Sequence, residues 1–228
     1  METHVMVLAV AVAFTAALSW LAIVRQDHVV DLITRPTFLL LLAGLAWSLA
    51  TEGSVDVSLV PTDGAPALRP VLLAIGLHVL VDALLLTATE RRYLLALWIL
   101  ILAQVAWGWA FICVPAGSGV RWWVPLALVA LALLHRRWGR EVVRSAGRQR
   151  GVVLLHLLTL AGLFLVAAWQ ALDRLVLGGS ALLLAAYLLL GHDRFVLERR
   201  WAPVLVMVAY HGALTLLVVG LLGASASS

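Results

Sequence analysis

The chain has 228 residues, 64% of them hydrophobic and 12% charged, with a mean hydropathy of +1.05. Soluble domains are about 45–50% apolar and 25% charged, so soluble, disordered, collagen-like, coiled-coil and disulfide-scaffold classes are excluded. The apolar runs do not alternate as the strands of a transmembrane barrel do. The fold predicted is all-α: a polytopic integral membrane protein, a single domain over residues 1–228, built as a bundle of about eight transmembrane helices.

Crossing a bilayer core takes about 20 apolar residues as helix. Eight segments meet or approach that length, at 4–24, 36–51, 70–89, 93–113, 122–136, 152–171, 174–191 and 201–222. The first lacks a basic leader and is long enough to span, so it reads as a retained helix rather than a cleaved signal. The second and fifth are short enough to be tilted or partly re-entrant. Short connections make each span antiparallel to its neighbour. The long connection at 52–69, with Glu52, Asp56, Asp63, Pro61, Gly64 and Pro66, reads as a solvated acidic loop.

Arg supplies all 16 basic residues against 12 acidic ones, a net charge of +4. Assigning the connections alternately to two sides puts 13 Arg on one: Arg25, Arg35, Arg91, Arg92, Arg136, Arg137, Arg140, Arg144, Arg148, Arg150, Arg194, Arg199 and Arg200. The other side holds three, Arg69, Arg121 and Arg174. Cytoplasmic loops carry such an excess. The Arg-rich loops are therefore expected in the cytoplasm, both termini outside, and the whole in a bacterial plasma membrane. The basic stretch at 135–150 suits anionic lipid headgroups better than nucleic acid, and no nucleic-acid partner is expected. Trp107, Trp109, Trp122, Trp123, Trp138, Trp169 and Trp201 fall near predicted helix ends, where aromatic belts form. The lone Cys113, at a helix end, can make no intrachain disulfide.

Ionisable groups inside a span are costly and are candidates for function. Asp82, in the third span, is the foremost. His78 lies four residues earlier on the same helical face, which suits the two to share a proton in acid–base work. Gln104, Tyr187, Tyr210 and His211 are the other mid-span polar groups. His156 opens the sixth span and reads as interfacial. Each of these also fits a plain role as interhelical hydrogen-bond glue. His78 and His211 could in principle face a haem, but nothing in their spacing requires it, and no cofactor or metal is expected. Two hairpins, one bearing Asp82, Gln104 and Trp107 and the other Tyr187, Tyr210 and His211, echo each other faintly. A duplicated four-helix unit, 1–113 and 122–222, would account for this.

Arg35-Pro36 opens the second span, Val81-Asp82 lies in the third, and Gln104 precedes Trp107 by three residues in the fourth. Arg194-Phe195, Trp201-Ala202 and the run 204–211 ending in Tyr210-His211 complete a pattern that resembles the YhhN-like lysoplasmalogenases, membrane proteins with eight predicted spans. That family carries Lys-Pro, Gly-Asp and a His three before a Tyr at the first three places. It also carries a second acid, in a Ser-Asp pair of the seventh span, where Ala186-Tyr187 stands here, and an Ala-Gln in the last span, where Ala213-Leu214 stands. Of two intramembrane carboxylates, this chain keeps Asp82.

The resemblance implies cleavage of the vinyl ether of a lysoplasmalogen to a fatty aldehyde and a glycerophospho-alcohol. An acid must protonate the alkenyl carbon and an anion must stabilise the oxocarbenium ion, the logic of paired carboxylates in glycosidases. Asp82, His78, Tyr187 and Tyr210 form the expected catalytic set. Arg35, Gln104 and His211 are expected to bind a membrane lipid or lysolipid substrate, and Arg91 and Arg92 are further candidates for its phosphate. The alternatives are a non-catalytic lipid binder of the same fold and a small proton-coupled transporter.

Overall fold

The computed structural model describes residues 3–51, 66–85, 89–115, 124–170 and 172–222. Glu52, Asp56, Pro61, Asp63 and Gly64 of the acidic connection, and Arg121, Trp122 and Trp123, lie outside them. The described residues are helical, with no strand: α1 Thr3–Arg25, α2 His28–Thr51, α3 Leu68–Leu85, α4 Glu90–Cys113, α5 Val124–Leu134, α6 Arg140–Ser145, α7 Arg150–Trp169, α8 Arg174–Phe195 and α9 Ala202–Leu222. Seven of these (all but α5 and α6) are long and apolar enough to cross a membrane. The chain is a polytopic helical bundle, as composition predicts.

The fifth expected span departs from that picture. Among the described residues, which resume at 124, α5 has 11 residues, about 16 Å of helix. At His135–Gly139 the helix widens into a π-turn and then continues as α6. The widening coincides with Arg136 and Arg137, where the apolar run stops. Among the long helices α5 packs chiefly on α7, and α6 packs on α7 and α8.

The seven long helices close on themselves. Neighbours in the order α1, α2, α3, α4, α7, α8 and α9 pack pairwise, and α9 returns to both α1 and α2. Every helix is apolar around most of its circumference, as expected where the outside meets lipid and the inside meets other helices. Met6, Phe14, Leu40, Leu80, Leu102, Val105 and Trp109 face outward. Phe38, Leu42, Ile75, Leu100, Leu160, Leu183 and Leu214 fill the interior.

Two local features set the register of the ring. α1 ends in a tight turn: the Gln26 N–H donates to the Ile23 carbonyl, the Asp27 N–H donates to the Ala22 carbonyl, and Gln26 takes a left-handed φ of 56°. This is the bonding of a Schellman stop. The Asp27 carboxylate then accepts from the N–H groups of Val29 and Val30 at 3.2 and 3.1 Å, capping α2. α2 therefore begins eight residues before the expected start at 36 and runs through Pro36. The second feature is the α8–α9 hairpin. A Cβ at Gly179 would stand 3.0 Å from the Ala213 carbonyl oxygen, and one at Gly220 would stand 2.7 Å from Val176 Cγ2. Small residues let these two backbones approach as they do in membrane helix pairs.

Candidate functional site

Inside the ring the apolar fill gives way to polar side chains from all seven long helices. α3 contributes His78 and Asp82, both buried. They share a face of the helix, as the spacing predicts, but no hydrogen bond joins them. His78 Nε2 accepts instead from Trp107 Nε1 of α4 at 3.3 Å. His78 Nδ1 and Asp82 Oδ2 are buried and have no partner in the protein. Trp107 is fully buried, so its expected place in an interfacial belt is corrected: it stands mid-bundle, while Trp109, Trp138, Trp169 and Trp201 are exposed.

α9 contributes Tyr210 and His211. The Tyr210 ring meets the His78 ring edge-on, with centroids 5.4 Å apart, and the Tyr187 ring of α8 at 6.2 Å. The Tyr210 hydroxyl is buried and unpartnered. His211 packs on Phe38 of α2 at 4.0 Å, and its Nδ1 accepts from Trp20 Nε1 of α1 at 3.1 Å. His211 Nε2 has no partner. Asp82 lies within electrostatic reach of both Tyr187 and Tyr210. His78, Asp82, Tyr187, Tyr210 and His211 therefore form one interior group.

Gln104 and His156 form its second edge. Gln104 Nε2 donates to His156 Nδ1 at 2.9 Å, and the Thr159 hydroxyl donates to Gln104 Oε1. His156 meets Tyr187 edge-on at 5.1 Å. The interfacial reading of His156 is thus corrected: six residues into α7, it is buried. Gln104 was expected to meet substrate; the structure gives its amide nitrogen and its amide oxygen protein partners.

Beneath this group the bundle opens. Arg35, on α2, is held by Asp31 one turn earlier: Nε donates to Oδ1 at 2.7 Å and Nη2 to Oδ2 at 2.5 Å. Such a bidentate fork fixes the guanidinium plane. Ser19 of α1 donates to the same Asp31 carboxylate at 3.4 Å. Arg35 and Leu85 together line two adjoining cavities. One, of about 520 Å³, also has Asp27, Asp31 and Arg200 in its wall. The other, of about 550 Å³, has Asp193, Arg194 and Glu198. The Arg194 guanidinium stacks on the Tyr93 ring at 3.9 Å, a cation–π contact. From the second cavity a narrow apolar cleft of about 20 Å³ runs past Leu85, Tyr93, Leu190 and Phe195 to Tyr187 and His156. Leu85 lies three residues beyond Asp82, so the acid is one helical turn from the junction of all three spaces. Arg91 and Arg92, in the first turn of α4, line none of them.

A family model, the YhhN family, matches residues 30–221. The chain belongs to the YhhN family. No curated protein and no solved structure matches it. The matched range takes in α3 to α8, α2 from its third residue and α9 up to Leu221; of the interior contacts described above, it leaves out those from Ser19 and Trp20 of α1. Those residues, Asp31, Trp107 and Thr159 are what sequence reasoning missed as parts of the site. The Asp31–Arg35 spacing of four carried the signal of an ion pair on one helix face, and Trp107 stood at a place of the family pattern.

Proposed function

We propose that this member of the YhhN family is a membrane lipid hydrolase that cleaves the vinyl ether of a lysoplasmalogen. The observation that carries the reading is Asp82: a carboxyl buried within the ring, with an unpartnered oxygen, one turn from a charged opening. A buried carboxyl without a partner is expensive to keep, and catalysis is a reason to keep one. As acid, Asp82 transfers its proton to the alkenyl carbon, and the C=C electron pair forms the new C–H bond. The resulting carboxylate faces the oxocarbenium ion. Water adds to the cationic carbon and its proton returns to Asp82. The hemiacetal then breaks its C–O bond to give an aldehyde and a glycerophospho-alcohol. Successive use of one carboxyl as acid and then base substitutes for the second acid of the family pattern.

A single-chain amphiphile suits the spaces beneath Asp82. Its phosphate would meet Arg35, Arg194 or Arg200 in the open cavities, as guanidinium groups favour. With the Arg-rich side in the cytoplasm, the opening faces the inner leaflet.

The test is to incubate purified protein in lipid nanodiscs with a lysoplasmalogen and, separately, with the saturated ether of the same head group. The reading expects fatty aldehyde from the first and none from the second. Tyr187 in the place of the family's second acid favours one other reading, a lipid binder without turnover. Saturable binding of both ethers with aldehyde from neither would establish that reading instead.

A further inference from the structure

Two tryptophans set the proton positions on two interior histidines. An indole N–H donates and cannot accept. Trp107 Nε1 is 3.3 Å from His78 Nε2, and Trp20 Nε1 is 3.1 Å from His211 Nδ1. Each receiving nitrogen must therefore present a lone pair. An imidazolium, protonated on both nitrogens, has none to offer, and a neutral ring then carries its one proton on the other nitrogen. That nitrogen is Nδ1 in His78 and Nε2 in His211. Both are buried and unpartnered.

For His78 this has a chemical consequence. Its Nδ1–H is a donor, and Asp82 Oδ2, also buried and unpartnered, is an acceptor. The two residues share a helix face with a rise of about 6 Å between them. A donor and an acceptor one turn apart, not bonded to each other, suit a single oxygen atom held by both. We propose that this is the seat of the hydrolytic water, and that Trp107 is the positioning residue that makes His78 present a proton rather than a lone pair to it. His78 Nδ1–H donates to the water oxygen. Asp82, having given its proton to the alkenyl carbon, takes one from the water as the new C–O bond forms. The proton count closes over the cycle. The water's role rests on the hydrolase reading above; the tautomer does not.

The tautomer is read directly by NMR of the full-length protein labelled with ¹⁵N-histidine in nanodiscs, the His78 signals being assigned by their loss in His78→Gln. The expected spectrum has a protonated Nδ1 and an unprotonated Nε2. Trp107→Phe keeps an aromatic ring but removes the donor. It should shift His78 toward the Nε2–H form and lower kcat about tenfold, with KM within about twofold. A wild-type His78 protonated on Nε2, or a Trp107→Phe protein with unchanged tautomer and kcat, overturns the proposal. If Trp107→Phe does not fold, the wild-type spectrum decides. A wild type without turnover overturns the hydrolase reading and the water's role with it, while the spectrum separately upholds or overturns the tautomer.

Discussion

The wall formed by α2 and α3 and the wall formed by α8 and α9 face the same interior by different means. Both buried carboxylates among the described residues, Asp31 and Asp82, stand on the first wall. The second offers Tyr187, Tyr210 and His211 and holds its two helices together at Gly179 and Gly220. Within the first wall the two acids differ again. Asp31 is neutralised by the Arg35 fork and steadied by Ser19, and its role is accounted for by fixing that arginine. Asp82 Oδ2 has no such partner. A buried carboxyl with an internal counter-charge is structure; one without points to function. The buried carboxylates thus stand on one side, with Tyr187, Tyr210 and His211 opposite them, while both sides supply charged groups to the opening.

That asymmetry can be broken in graded steps. The largest effect on stability should come from Arg35→Ala, which leaves Asp31 without its counter-charge. Loss of one partner from a well-shielded pair costs about 3 kcal/mol, read as a lower unfolding midpoint in detergent. Replacing both residues together, Asp31→Leu with Arg35→Met, should recover most of that loss. If the single and double variants unfold alike, the pair is not what holds this wall. Next is Gly220→Val on the opposite wall. Its side chain would enter space held by Val176, at about 2 kcal/mol, and should lower the midpoint without a matching change at Gly76, whose Cβ would meet nothing within 4 Å. The smallest effect is expected for Tyr187→Phe, which keeps the edge-on packing against His156 and removes only a hydroxyl. If Tyr187 orients a group in the site, kcat falls about tenfold, roughly 1.4 kcal/mol; an unchanged kcat would reduce Tyr187 to packing.

Much of the bundle is legible in the sequence, because apolar length alone announces a span. The misses have physical causes. Residues 28–35 of α2 look too charged to lie in a span when Asp31 and Arg35 are counted separately, yet at a spacing of four they neutralise each other on one face. The helix also continues through Pro36. The fifth expected span differs in form: among the described residues its apolar run ends at Arg136, where the helix widens into a π-turn and goes on as α6. Trp107 and His156 were misplaced for a shared reason. Where a helix is apolar all round, periodicity does not say which face turns inward, so a residue six positions from a helix end resembles an interfacial one. The return of α9 to α1, which brings Trp20 onto His211, is a tertiary fact with no local signature. Asp82 was legible because one acid in an apolar run stands out whatever the packing.

The central claim is that Asp82 carries the reaction, and the direct test is aldehyde release from lysoplasmalogen by wild type and Asp82→Asn, purified and reconstituted alike. The asparagine retains the shape of the carboxyl and cannot deliver its proton. Loss of a positioned acid costs about a hundredfold or more, so the account predicts a fall of at least that size with the unfolding midpoint preserved. Equal release from both proteins would contradict it.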